Sequence, residues 1–123
     1  MTQIIRKRIL ALSFAITVAA GTLMPAQAAE PQSSAVVVMY HRFGESVHPS
    51  TNIRLEQFES HLAELAKPEY TVLPIPEIIA RLKARQPLPG RTVGISIDDA
   101  FLSVYAEAFP RLKKAGFPFT LFV

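Results

Sequence analysis

Cysteine is absent from this sequence, and so is tryptophan. Without cysteine the chain has no disulfide framework, so its stability has to come from a hydrophobic core. Half of the 123 residues are hydrophobic, which is enough to build one. Internal repeats and low-complexity segments are also missing. The composition is therefore that of a globular domain without covalent cross-links.

Beyond its first 28 residues, the sequence has no excess of basic charge. The whole chain carries thirteen basic and ten acidic side chains, a formal net charge of +3. Three of the basic residues, and none of the acidic ones, lie in residues 1–28, so the rest of the chain has ten of each sign. Neither a basic stripe nor a recognition motif remains, and nothing in the sequence indicates nucleic-acid binding.

The first 28 residues have the pattern of a signal peptide. Basic residues precede an apolar run over 9–23, and a small-residue A-x-A box ends at Ala28. A membrane anchor is the alternative, but the run is short for a bilayer span of about 20 residues, and Pro25 follows it. We predict cleavage after Ala28 and export to the periplasm or the medium, with no stable membrane anchor afterwards. Residues 29–34 are then a linker.

The remaining chain alternates between strand and helix patterns, which is typical of an α/β fold with a parallel sheet or barrel. Continuous apolar residues in the first strand predict burial on both of its faces. The expected strands are 35–41, 70–75, 92–97 and 118–123, and the expected helices are 55–66, 76–85 and 100–115. Pro110 should kink or restart the third helix, and Gly116 suits the position just after its end.

Helical periodicity also predicts which residues of each helix face the core. The expected inward residues are Leu55, Phe58, Leu62 and Leu65 in the first helix, Ile78, Ile79 and Leu82 in the second, and Phe101, Val104, Tyr105, Ala108 and Leu112 in the third. The last apolar run has no turn or polar cap after it and should be an internal strand. We therefore expect this chain to be the N-terminal part of a longer protein.

Two adjacent carboxylates, Asp98 and Asp99, follow the strand predicted over 92–97. Asp99 could simply cap the next helix, but that leaves Asp98 unexplained, since it shares a face of the strand with Gly94 and Ser96. A glycosidase would need two facing carboxylates about 5–9 Å apart, whereas neighbours on a strand usually diverge. A metal-bound water with an adjacent base suits neighbouring positions better, because one group faces the ion and the other the water.

The segment "SIDDAFLSVYAEAFPRLKKAGFPFTLFV" resembles the first conserved block of the polysaccharide deacetylases, carbohydrate esterase family four. Upstream, "VVVMYHRFGE", "LEQFESHLAEL" and "YTVLPIPEIIARLKARQPLPGRTVGISIDD" are similar to the lead-in of an exported subgroup of that family. The matching positions are the aspartate pair, Pro110, Leu112, Lys113, Gly116, Pro118 and Thr120. The resemblance implies a partial (β/α) barrel in residues 35–123, truncated after about four strands.

The resemblance implies a reaction as well, the metal-dependent removal of acetyl groups from N-acetylglucosamine units of an oligo- or polysaccharide. It makes Asp98 the general base and Asp99 a ligand of a divalent metal, expected to be zinc. His41, after the first strand, corresponds to the acid that protonates the leaving amine. The two metal-binding histidines of the family have no counterpart here, so this chain alone is expected to be inactive. His48 and His61 are expected to have no such role.

Two departures from the family pattern keep alternatives open. Ala100 stands where the family usually has glycine, and Ser96-Ile97 where it has Thr-Phe. A non-catalytic carbohydrate-binding relative that lacks the metal centre is one alternative. An O-acetyl xylan esterase or a peptidoglycan deacetylase of the same family is another, because its nucleophile would be the same.

Overall fold

The computed structural model describes residues 33–123. The predicted signal peptide lies outside the described residues, and so do residues 29–32 of the predicted linker. Within 33–123, no helix has both the length and the apolar character needed to cross a bilayer.

A parallel sheet organises the described residues around one central strand, β5. β1 pairs along one edge of β5 over its full length, while β4 and β6 pair with the start and the end of the opposite edge. A separate parallel pair, β2 with β3, lies in the segment after β1. The strands are β1 Ala35–Tyr40, β2 Arg42–Phe43, β3 Asn52–Ile53, β4 Thr71–Val72, β5 Thr92–Asp98 and β6 Thr120–Phe122. The predicted parallel α/β fold is confirmed.

The helices lie where their hydrophobic periodicity predicts them. They are α1 Leu55–Leu65, α2 Ile75–Lys83 and α3 Phe109–Ala115, with a π-helical segment, Val104–Ala108, directly before α3. Gly116 adopts a left-handed conformation with φ of 71°, and the N–H of Phe117 bonds back to the carbonyl of Leu112. Such a bond after a left-handed residue is a common way to end a helix, so the role predicted for Gly116 is confirmed.

The core lies on one face of β5, under α1 and the helix that follows the strand. Ile95 and Ile97 contribute from the strand, and Phe43, Phe58 and Leu62 from the first half of the chain. Val104, Ala108 and Leu112 complete the buried set from the π-helical segment and α3. The ring centroids of Phe43 and Phe58 are 4.8 Å apart in an edge-to-face arrangement, which favours aromatic pairs.

The prediction that β1 is buried on both faces is wrong for the described residues. Val36, Val37 and Met39 keep half or more of their surface exposed, whereas Val38 and Tyr40 pack against the core. Within 33–123, β5 is the one neighbour of β1. The core covers Val38 and Tyr40 but not Val36, which lies on the same face, and Val37 and Met39 lie on the opposite face. The apolar composition of a strand therefore does not show which of its faces the neighbouring elements cover.

Three residues predicted to face the core are substantially exposed. In α2, Ile79 and Leu82 remain more than 40% exposed, while Ile75 and Ile78 are buried. A methyl group added at Gly94 of β5 would lie 2.9 Å from the side chain of Ile75, so α2 approaches the sheet through its first turn. Because that turn makes the closest contact, the later apolar residues of α2 lie farther from the sheet.

Tyr105 is the third such residue, and it is 75% exposed. It lies in the π-helical segment, where the extra residue per turn shifts every later side chain relative to α-helical spacing. Pro110 sits in the first turn of α3, where it needs no hydrogen-bond donor of its own. The predicted irregularity at Pro110 is thus confirmed, and it takes the form of a widened turn just before the proline.

Candidate active site

The side chains of His41 and Asp98 meet at the carboxyl end of the sheet. The β1–β5 register pairs Tyr40 with Ile97, so the residues that follow them, His41 and Asp98, lie at the same end of the ladder. The Nε2 atom of His41 lies 3.9 Å from Oδ2 of Asp98, and both side chains are about one-third exposed. This gap is too long for a direct hydrogen bond, but one atom could sit about 3 Å from both groups.

Asp99 directly follows β5 and has a left-handed conformation, with φ of 63°. Its backbone N–H donates to the carbonyl oxygen of Phe122 in β6, 2.9 Å away. Aspartate tolerates this conformation better than most residues, but it still carries a cost and is most often found at turns and functional sites. The side chain of Asp99 is exposed at the same end of the sheet as the pair formed by His41 and Asp98.

The alternative in which Asp99 caps the following helix is wrong. Helical structure begins only at residue 102, and a capping residue has an extended backbone rather than a left-handed one. The carboxylate of Asp99 makes no hydrogen bond within residues 33–123 that would satisfy a helix terminus. Helix capping therefore does not explain why Asp99 stands beside Asp98.

A hydrogen-bond network of polar side chains lies next to this strand end. Oε1 of Glu45 accepts a hydrogen bond of 2.7 Å from the hydroxyl of Ser103, and Oε2 receives one of 2.8 Å from Arg42. The Ser103 oxygen also accepts the backbone N–H of Phe43 at 3.3 Å. The hydrogen bond from Ser103 and, to a smaller extent, the one from Arg42 hold the pKa of Glu45 below its usual range.

Tyr40, the residue before His41, points into the core side of the sheet. Its hydroxyl is 2.9 Å from Nδ1 of His61 in α1, and its ring lies edge-on to Phe58 at 5.3 Å. Partial burial raises the pKa of the Tyr40 phenol. His61 is exposed, and its contact with Tyr40 was not predicted. His48 is exposed in the loop between β2 and β3.

A polar cleft of about 360 Å³ opens beside His41. Hydroxyl, amide and guanidinium groups line much of it, and these are the groups that bind sugar hydroxyls. The lining residues are Met39, Tyr40, His41, Arg42, Ser50, Thr51, Asn52, Ile53 and Gln57. The cleft therefore gives a polar ligand access to His41 from the side of the segment between β2 and β3.

The fit of the site to a metal ion is partial. A catalytic zinc ion usually has three protein ligands and an open position for water. Residues 33–123 contain no cluster of three histidine, cysteine or acidic side chains that could hold a metal. Asp99 is an exposed carboxylate at the strand end that could serve as one ligand, and residues 33–123 do not contain a complete ligand set.

The sequence singled out His41, Asp98 and Asp99 as candidates, and it gave no sign of the contact between Glu45 and Ser103. Glu45 and Ser103 are 58 positions apart, and the sequence predicts neither a strand nor a helix in the segment from 42 to 52. Its two short strands were missed because two residues are too few for a periodicity. Gly44, with φ of 67°, and Pro49 are the local signals of turns in that segment.

No family model matches this chain. No curated protein sequence matches it.

Solved structures do match. IcaB from Ammonifex degensii superimposes with a TM-score of 0.66 at 36% sequence identity, covering 74% of this chain and 38% of that chain. The deacetylase PplD from Streptococcus pyogenes, solved in complex with acetate, gives a TM-score of 0.61 at 22% identity over 71% of this chain and 41% of that chain. A de-N-acetylase from Aggregatibacter actinomycetemcomitans gives 0.62 at 24% identity, over 71% and 36% of the two chains.

The last two structures are less than 25% identical to this chain and bear on its fold alone, whereas IcaB is more similar in sequence. This chain spans about two fifths of the length of each structure. The resemblance to the polysaccharide deacetylase family that the motifs predict is therefore confirmed, and the fold of residues 33–123 is that of part of a deacetylase of this family.

Proposed function

We propose that the full-length product of this gene is a metal-dependent hydrolase that removes N-acetyl groups from an N-acetylglucosamine-containing oligo- or polysaccharide. The observation that carries the proposal is the approach of His41 to Asp98 at the carboxyl end of the sheet, directly before Asp99. A candidate acid and a candidate base meet there in the sequence context of the deacetylase motif. The solved structures with this fold include a deacetylase and a de-N-acetylase.

In the proposed reaction Asp98 acts as the general base. Its carboxylate takes a proton from water while the water oxygen forms a bond to the amide carbonyl carbon. The bond between that carbon and the sugar nitrogen then breaks, and its electron pair goes to the nitrogen. Protonated His41 gives its proton to this nitrogen, so acetate and the amino sugar leave.

Asp99 is proposed as one ligand of a divalent metal ion, with zinc as the expected metal. A metal bound there would supply Lewis acidity that lowers the pKa of water and polarises the acetamide carbonyl. The further ligands would have to come from outside residues 33–123, because no complete ligand cluster exists within them. The exposed carboxylate of Asp99, held in a left-handed turn beside Asp98, is what supports this assignment.

An amino-sugar polymer is proposed as the substrate, and the polar cleft beside His41 supports a ligand rich in hydroxyl groups. Export with cleavage after Ala28 is proposed with it, since polysaccharides of this kind lie outside the cytoplasm. The predicted signal peptide supports export from sequence alone.

The test is Asp98→Asn in the full-length product, with acetate release from N-acetylglucosamine oligomers as the readout. We expect the rate to fall about 10²- to 10⁴-fold, the usual contribution of a general base. Glu69→Gln is the control, because Glu69 is an exposed carboxylate far from the strand end and should leave the rate unchanged. Unaltered acetate release by Asp98→Asn would refute the proposal.

The metal content of the same purified protein separates this function from its alternatives. The proposed hydrolase should hold a divalent ion, and Asp99→Ala should retain less of it. A protein that purifies without a metal and releases no acetate would be the non-catalytic carbohydrate-binding relative. Release of acetate from acetylated xylan, and not from N-acetylglucosamine oligomers, would identify an esterase of the same family.

A further inference from the structure

Ser103 and Glu45 connect two segments that are far apart in sequence. The Ser103 side chain donates to Oε1 of Glu45 at 2.7 Å and accepts the backbone N–H of Phe43 at 3.3 Å, so its hydroxyl is used in both directions. Ser103 is only 8% exposed, although it is polar. A buried hydroxyl with both of its capacities satisfied is costly to replace, because its removal leaves a buried N–H without an acceptor.

Arg42 and Asn52 complete this connection. Arg42 donates to Oε2 of Glu45 at 2.8 Å, and its guanidinium carbon lies 3.3 Å from the ring centroid of Phe101. The side-chain oxygen of Asn52 accepts the backbone N–H of Glu45 at 2.9 Å. Glu45 is therefore held through both carboxylate oxygens and through its backbone, and hydrogen bonds to an ionised group are among the stronger ones.

This network lies next to the end of the β1–β5 ladder. The β1–β5 ladder ends at the pair of Tyr40 and Ile97, so the residues that follow these two strands have no ladder hydrogen bonds to each other. His41 directly precedes the network residue Arg42, and the two aspartates precede Phe101 and Ser103. The network thus joins the two chain segments just beyond the point where the sheet stops joining them.

We propose that Glu45 and Ser103 are positioning residues that hold His41 in register with Asp98. The proposal rests on the proposed function, in which these two groups act on one substrate. It assigns no direct contact with the substrate to either positioning residue. Displacement of a reacting group by about 1 Å can cost about a hundredfold in rate, so a fixed strand end has a kinetic value beyond stability.

The experiment is a double-mutant cycle on deacetylation by the full-length product, with Ser103→Ala, Glu45→Ala and the double variant. Each single substitution should lower kcat about tenfold or more. Ser103→Ala should leave KM within about twofold because Ser103 does not line the polar cleft, whereas Glu45→Ala also releases Arg42 of the cleft and can change KM. The double variant should be no slower than the slower single variant, because the two residues act as one unit. Glu45→Gln keeps an acceptor for Ser103 and should lose less than Glu45→Ala.

Ser60→Ala is the matched control, because the Ser60 hydroxyl also donates a hydrogen bond, to the Glu56 carbonyl on the exposed side of α1. It should leave kcat unchanged. Independent, multiplying effects of Ser103→Ala and Glu45→Ala would overturn the proposal, and so would an unchanged kcat in Ser103→Ala.

A second readout does not depend on activity. If the unsubstituted protein releases no acetate, the proposed function is refuted, but the positioning role can still be tested. Backbone ¹⁵N order parameters of residues 41–45 should fall in Ser103→Ala and stay constant in Ser60→Ala, while those of Ile95 in the central strand report that the fold is intact. Order parameters that do not change in Ser103→Ala would overturn the positioning role whatever the activity.

Discussion

His41 and Asp98 come from different strands, yet their side chains approach to 3.9 Å at the carboxyl end of the sheet. The parallel β1–β5 register brings them together, because it aligns the last residues of both strands. Functional groups of α/β proteins usually gather at this edge. The pair is therefore the first place where the proposed function can be tested by substitution.

Replacement of His41 should remove the proton donor and leave the fold intact. In the full-length product we expect His41→Gln to lower kcat for acetate release by about 10²- to 10⁴-fold, since glutamine cannot give up a proton. His48→Asn is the control, because His48 is exposed in a loop and asparagine tolerates its left-handed backbone. Equal loss in both variants, or no loss in His41→Gln, would contradict the acid role.

The carboxylate of Glu45 should make the stability of the protein depend on pH in the acid range. The hydrogen bond from Ser103 and the contacts with Arg42, and with His48 at longer range, hold its pKa below the usual range. A lowered pKa in the folded state stabilises the protein above the unfolded carboxyl's pKa of about 4.3, and that stabilisation disappears as the pH falls through the folded value.

Urea unfolding of the parent chain and of Glu45→Gln, measured between pH 7 and pH 3, checks this. The parent should be the more stable at pH 7, and the difference should shrink as the pH falls below about 4.3. Glu69→Gln provides the baseline for an exposed carboxylate. A difference that stays constant with pH would show that Glu45 contributes through contacts that do not depend on its charge.

Gly44 should tolerate no side chain. Its φ is 67°, and a methyl group added there would lie 2.8 Å from Cγ of Leu55 at the start of α1. Gly44→Ala should therefore lower the free energy of unfolding by about 1–3 kcal/mol through backbone strain and steric conflict. Gly90→Ala is the control, since a methyl group at Gly90 meets nothing within 4 Å. Equal unfolding midpoints in urea would contradict the prediction.

The aromatic cluster under β1 should be a main source of stability in a chain without disulfides. Phe58 is fully buried and contacts both Phe43 and Tyr40 in edge-to-face arrangements. Phe58→Ala should cost about 3–5 kcal/mol in thermal or urea unfolding, the usual price of removing a buried phenylalanine ring. Leu102→Ala, at a residue that is 80% exposed, should change stability by less than about 0.5 kcal/mol.

The sequence alone predicted the elements that carry a repeating pattern. Leu55, Phe58 and Leu62 recur at helical spacing, and α1 lies where that spacing places it. The alternation around Ile95 and Ile97 likewise predicted β5, and with it the strand end where the two aspartates stand. Periodicity is a local property of the chain, and it survives folding because each residue keeps its place on its own helix or strand.

Other features depend on which segments meet, and only the tertiary structure decided them. Tyr105 turned outward because a π-helical turn precedes Pro110. Met39 stayed exposed because α2, which lies on the same face of the sheet, approaches that face at Gly94. The approach of His41 to Asp98 depends on the pairing of β1 with β5, and the hydrogen bond between Ser103 and Glu45 joins segments that are far apart in the chain. The left-handed Asp99 bonds through its N–H to β6. The sequence determined the residue types at the strand ends, and the packing of distant segments determined their distances, because no local pattern encodes contacts between residues far apart in the chain.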